Sequence, residues 1–127
     1  MTKQKTLDLL IGVALAWGLF LNISVVLAFE FVLSMAAGGN FVQLPNEIRV
    51  VYFFQALFIV YQAVIYFRSA SGKKVQPKWI FLVFAILDGI GSLLNLFSTS
   101  PNERWNAVAL LLMTYGFWVQ HKKQKTL

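Results

Sequence analysis

The chain has no cysteine and one histidine, His121. Without cysteine there are no disulfides, no thiolate metal ligands and no thiol redox chemistry. One histidine rules out, within a single chain, a haem held by two histidines or a metal site built on histidines. Charge is scarce as well. Only 13% of residues are charged, five of them acidic, against about 25% in ordinary soluble domains. No nucleophile–base pair, metal cluster or phosphate-binding loop is visible, so neither catalysis nor a cofactor is expected.

What is abundant is apolar surface: 58% of 127 residues are hydrophobic. A soluble chain of this length, one domain at most, could not bury that much. Lipid must solvate part of it, which predicts an integral membrane protein with the lipid bilayer as its main partner. The net charge is +6, but the cations flank apolar runs instead of covering a face, so no nucleic-acid binding is expected.

Four apolar runs predict an all-α fold, a four-helix transmembrane bundle running up-down-up-down. The first run is 7–37, with Thr6 able to cap it, Asp8 in its first turn and Gly38-Gly39 ending it. At about 46 Å by helical rise it exceeds a hydrocarbon core of about 30 Å, so one end should protrude or the helix should tilt. The second and third runs are 48–67 and 79–97. The fourth, 101–120, opens with Ser100-Pro101-Asn102-Glu103, a capping serine followed by proline and glutamate. The linkers 38–47, 68–78 and 98–100 are short, so sequence neighbours should pack antiparallel.

Nine of the eleven Lys and Arg residues fall on one side: Lys3, Lys5, Arg68, Lys73, Lys74, Lys78, Lys122, Lys123 and Lys125. Arg49 and Arg104 fall on the other. This asymmetry predicts both termini in the cytoplasm. Trp79 and Trp118 would then sit at the inner interface and Trp105 at the outer one. A cleaved signal peptide is disfavoured, because the apolar stretch 9–29 is longer than the 7–15 or so residues of a signal core. Lys-Gln-Lys-Thr-Leu at 3–7 and 123–127 reads as solvated ends. Pro-Asn-Glu at 45–47 and 101–103 needs no duplication, since each of its residues is favoured at helix starts.

Polar residues inside the runs mark a candidate ligand- or proton-binding site. Asp88 lies about 13 Å from the inner end of the third run, near the midplane. Ser92 and Asn95 follow on the same helical face, and Gly91 allows close approach of another helix. On the second run, Tyr52, Gln55, Ile59, Gln62 and Tyr66 form one stripe, of which Gln55 reaches a depth of about 18 Å. Asn22 on the first run sits at a similar depth, and Trp17 near the level of Asp88. No Lys or Arg lies at that depth, and an unpaired carboxylate there costs about 2.5–3.5 kcal/mol. Either Asp88 is protonated and donates to Gln55, Asn22 or a backbone carbonyl, or it faces a water-filled cavity and binds a cation or proton.

The remaining candidates have plainer readings beside the functional ones. Glu30, about 31 Å up the first run, reads as a wetted interfacial carboxylate. Trp17 could complete an aromatic-plus-acid pocket for an organic cation, although a lone Trp more often packs between helices. The tyrosine stripe reads as packing. Glu47 with Arg49, and Glu103 with Arg104, read as helix-start pairs. The basic 68–78 loop could bind lipid headgroups, but orientation suffices to explain it. His121 is expected in solvent.

The stretch from Asp88-Gly89-Ile90-Gly91-Ser92-Leu93-Leu94-Asn95 through Ser98-Thr99-Ser100-Pro101-Asn102-Glu103-Arg104-Trp105-Asn106 resembles the third and fourth spans of small uncharacterised four-helix bacterial membrane proteins, notably actinobacterial ones. The Ser-x-x-Glu-Arg-Trp end is its most specific element. The resemblance implies a multi-pass protein of the bacterial cytoplasmic (inner) membrane and carries no activity. Small multidrug transporters share the size and helix number, but their acid lies deep in the first helix, whereas Glu30 lies late in it here. The leading functional expectation is a non-enzymatic accessory or small-ligand-binding module, assembling as a homo-oligomer or with a membrane-protein partner. The alternative is a proton- or cation-coupled transporter acting as an oligomer.

Overall fold

The computed structural model covers residues 1–127 and is helical throughout, with no strand. Four long helices carry it: α1 (Lys3–Val26), α2 (Asn46–Ala70), α3 (Ile80–Leu96) and α5 (Asn106–Thr126). A single turn, α4 (Pro101–Arg104), stands directly before α5. Short 3-10 turns at Glu30–Ser34 and Ala37–Gly39 fill the α1–α2 connection.

The first helix differs most from expectation. It starts earlier, capped by Thr2, whose hydroxyl accepts from the Lys5 N–H at 3.3 Å. It ends at Val26, eleven residues before the expected 37. The Phe29 N–H donates to Ser24 O at 3.1 Å and the Ala28 N–H to Val25 O at 3.0 Å. These are the paired bonds of a Schellman cap. The left-handed position is held by Ala28, at φ 57, where glycine would be the usual signal. Arg49 reinforces the stop by donating from Nε to Val26 O at 2.8 Å, a cation on the negative end of the helix dipole. At 24 residues α1 is about 36 Å long, so most of the predicted overhang disappears. The apolar residues beyond it fold back over the bundle end, where Val32, Ala36 and Leu44 bury against Leu21 and Val25.

The last helix differs in the opposite sense. It breaks at Trp105 and then runs to Thr126, past the expected 120. Its C-terminal turns are not a solvated tail, because Gln120, His121 and Gln124 are buried. Gln124 donates from Nε2 to Ser69 Oγ at 2.7 Å and to Lys73 O at 3.0 Å, and its Oε1 accepts from the Val75 N–H at 3.0 Å. Lys123 Nζ donates to Ser69 O at 3.1 Å and Ala70 O at 3.3 Å. These bonds clasp the turn after α2 and keep the helix wound.

Around the bundle the order is α2, α1, α5, α3. The consecutive helices α2 and α3 therefore flank a gap, contrary to the expectation that every short linker joins packed neighbours. Side chains bridge that gap near the lysine-rich end: Phe58 and Tyr61 of α2 meet Phe84 edge-on, with ring centroids 5.5 and 5.7 Å apart. The core continues through Phe81, Phe117, Tyr66 and Ile11, all fully buried. Outside it, Phe53, Phe54, Leu57 and Val64 of α2 and Ile90 and Leu93 of α3 are exposed. Helices α1 and α2 are long and apolar enough to cross a membrane; α3 is apolar but shorter.

Two glycine-related positions test this packing. A Cβ on Gly116 would stand 2.6 Å from Ile11 Cδ1 and 2.7 Å from Ile11 Cγ1, inside the tightest α1–α5 contact. Gly116→Ala should lower stability by about 1–3 kcal/mol, as overpacked cores do. Ala28→Gly, which relieves the left-handed strain, should raise it by about 0.5–1 kcal/mol. Detergent-titration unfolding of the purified chain measures both.

Candidate functional site

A cavity of about 470 Å³ lies between the four long helices, on the cap side of the aromatic core. Helix α1 contributes Trp17 and Asn22, α2 contributes Tyr52, Gln55 and Gln62, and α3 contributes Asp88, Leu94 and Asn95. Glu103 and Asn106 close the wall from α4 and α5. Leu94, 71% exposed, and the exposed Gln55 and Leu87 stand where the wall opens between α2 and α3.

The floor is a fork. Gln62 Nε2 donates to both carboxylate oxygens of Asp88, each at 3.1 Å. Asp88 is 6% exposed and Gln62 fully buried. This answers how an acid sits in an apolar helix with no cation nearby: a neutral amide supplies its hydrogen bonds. One turn further towards the lysine-rich end, the Phe84 and Phe117 rings lie 5.0 Å apart, with Tyr66 5.9 Å from Phe117, and close the bundle.

The roof is tied down by side chains on main chain. The Trp17 indole N–H donates to Asn106 Oδ1 at 3.2 Å, and Asn106 Nδ2 donates to Met35 O at 3.1 Å. Glu103 Oε2 accepts from the Gly38 N–H at 2.9 Å and from Ser98 Oγ at 2.5 Å. Tyr52 accepts from the Ala37 N–H at 3.1 Å, and Ser100 donates to Ser34 O. The 3-10 connection is thus held over the cavity by α2 and α4.

Of the expected site residues, the structure brings together Asp88, Asn95, Gln55, Asn22 and Trp17 around one cavity. Ser92 is not among its lining residues: its hydroxyl donates to Ala107 O at 3.0 Å and fastens α3 to α5. Glu30 is also apart, exposed at the start of a 3-10 turn because α1 has already ended. The partner of Asp88 is neither Gln55 nor Asn22, whose amide turns back to Gly18 O at 2.7 Å. The helix-start pairs do not form as expected either. Arg49 goes to Val26 O, Arg104 Nε goes to Ser98 O at 2.7 Å, and the Glu103 carboxylate reaches across to Gly38. Ser100 does cap α4, accepting from the Glu103 N–H at 3.4 Å. His121, expected in solvent, is 7% exposed and lies beside Trp118.

Sequence reasoning missed Gln62, Asn106 and Glu103 as members of the site. Gln62 was recoverable, because it continues the Gln55 stripe by seven residues. Asn106 had no such signal, since it sits at a helix start where asparagine is ordinary.

Removing one arm of the fork strands the other. Gln62→Leu should destabilise the chain by about 1.5–3 kcal/mol, while Gln62→Leu with Asp88→Leu should recover most of that loss. Asp88→Asn retains an acceptor for Gln62 and should keep the fold. Unfolding titrations of the wild type, the single variants and the double variant read the coupling directly. No protein-family model, curated protein or solved structure matches the chain.

Proposed function

We propose that this chain is a multi-pass protein of the bacterial cytoplasmic membrane that crosses four times with both termini inside, and that its cavity around Asp88 binds a small ligand. It acts as a non-enzymatic binding or accessory module, alone, as a homo-oligomer or beside a membrane-protein partner. The observation that carries this reading is a cavity between the helices, open on one side, in whose largely apolar wall Asp88 and several amides are set, inside a bundle whose outer faces are apolar. A surface bearing Phe53, Phe54, Leu57, Ile90 and Leu93 is suited to lipid and not to water. Buried amides and an acid in such a bundle belong to the interior by cost alone.

Helix ends support the orientation. Lys123 on Ser69 O and Tyr66 on Asp8 Oδ1 (2.8 Å) tie the lysine-rich ends of α1, α2 and α5 together, whereas Arg49 and Arg104 stand at the cap end. The lysine-rich end is the one expected to face the cytoplasm. Binding is better supported than transport, because the Phe84–Phe117–Tyr66 layer closes the route towards the lysine-rich end.

The absence of native cysteine makes topology directly testable. Single-cysteine variants Val42→Cys and Thr99→Cys should react with an impermeant maleimide in intact cells. Ser71→Cys and Leu127→Cys should react only after permeabilisation. Labelling of all four from one side removes the four-span arrangement. For the ligand, native-detergent purification followed by mass spectrometry should release a small molecule from the wild type, and less of it from Leu94→Trp, which narrows the mouth.

A further inference from the structure

The chemistry of the cavity wall specifies its ligand more closely. This step rests on the cavity being a ligand site, as proposed above. Among the lining residues there is no Lys, Arg or His, while two carry carboxylates, Asp88 and Glu103. Several of the N–H donors on the wall are engaged inside the protein. Trp17 donates to Asn106, Asn22 to Gly18 O, Gln62 to Asp88, and Asn106 to Met35 O. Asn95 likewise donates from Nδ2 to Gly91 O at 2.8 Å. Gln55, the Tyr52 hydroxyl and the second amide N–H of Asn22, Asn95 and Asn106 keep donor capacity.

The buried polar atoms left without any partner on this wall are acceptors. Asn22 Oδ1 and Gln62 Oε1 are buried with no hydrogen-bond partner. Leaving such groups unpaired is costly, and a ligand bearing N–H donors would relieve that cost. A carboxylate backed by acceptors and an indole, with no compensating cation, selects positive charge. The Trp17 indole and the apolar residues at the mouth favour an organic cation over a bare metal ion, for which no set of three or more His, Cys, Asp or Glu side chains is grouped. Its tail is chosen by the mouth, where Phe58, Leu87 and Leu94 line the opening between α2 and α3.

We infer that the cavity takes a lipophilic ammonium ion, its N–H groups meeting Asp88 and the unpaired amide oxygens, its apolar tail leaving sideways between α2 and α3. A volume of about 470 Å³ suits a head and a short tail. The lateral mouth lets such an amphiphile arrive from the lipid phase while its charged end finds the only acid on the floor.

The test uses the full chain in phosphatidylcholine nanodiscs with Trp79, Trp105 and Trp118 replaced by Phe, so that Trp17 is the sole indole. Three probes share one tail: n-octylammonium, 1-octanol and octanoate. Octylammonium should change Trp17 emission saturably, at concentrations at least about tenfold below those at which octanol acts. Asp88→Asn should weaken octylammonium about ten- to a hundredfold, as loss of a charge-assisted bond does, and leave octanol unaffected. Gln55→Lys, which adds a cation at an exposed wall position and leaves the fork intact, should weaken octylammonium by a similar factor. Equal binding of octylammonium to the wild type and to both variants overturns the inference. Saturable binding of octanol or octanoate without preference for the ammonium overturns the ligand class but leaves the site standing. Silence from all three probes overturns both.

Discussion

Two hydrogen bonds from one amide to one carboxylate hold together the part of the bundle that packing leaves open. Helices α2 and α3 follow each other in sequence but do not lie side by side. Gln62 and Asp88 span the space between them. An apolar pair at these positions would draw the helices together and fill the cavity. A charged pair would demand full desolvation of two ions, which is rarely recovered inside a low-dielectric core. An amide against an acid is the intermediate solution: it satisfies both carboxylate oxygens and still leaves the amide carbonyl without a partner. The floor of the cavity and one of its two unpaired acceptors come from that one choice of side chains.

The rest of the molecule is arranged in layers around this fork. Towards the lysine-rich end come the interlocked aromatic rings, then the clasp of Gln124 and Lys123 on the turn after α2. Towards the other end come the cavity and a roof of short 3-10 turns, tied by side chains to backbone groups. The aromatic layer relies on burial, which is non-directional. The roof combines directional bonds with a second apolar cluster, in which Val32, Ala36 and Leu44 bury against Leu21 and Val25. Both ends of the bundle therefore join burial to side-chain bonds on backbone groups.

Helix number and five residues of the cavity wall, Trp17, Asn22, Gln55, Asp88 and Asn95, were legible from spacing and depth. Apolar runs announce helices, and polar residues at intervals of three and four within them point to one side. What misled was the position of helix ends. Counting depth from Phe67 puts Gln62 about 8 Å from the end of α2, too shallow to meet Asp88. The helix runs on to Ala70, and from there Gln62 lies about 12 Å in, level with Asp88 counted from Ile80. The extension is stabilised by tertiary bonds from α5 to Ser69 and Ala70, which local sequence does not reveal. The early stop of α1 was hidden for a related reason: alanine, not glycine, takes the left-handed position, so no residue type marks it. Glu30 was misplaced with it, as a late helical residue instead of a turn residue on the surface. His121 and the 123–127 end looked solvated, and the burial of Gln124 depends on a loop some fifty residues earlier in the chain.

Helix α5 touches every other long helix, and its side chains complete polar groups that the earlier helices cannot complete alone. Ser69 waits for Gln120, Trp17 for Asn106, Ser92 for the Ala107 carbonyl, and Ile11 for the groove at Gly116. Among the four long helices it is also the last to be synthesised. Until it arrives, the first three lack the partners that it supplies to Ser69, Trp17, Ser92 and Ile11. Final consolidation arrives in a single late step. Quality control during biogenesis would accordingly be decided by the arrival of α5, and a chain interrupted before it would present the cell with an unfinished, degradable product.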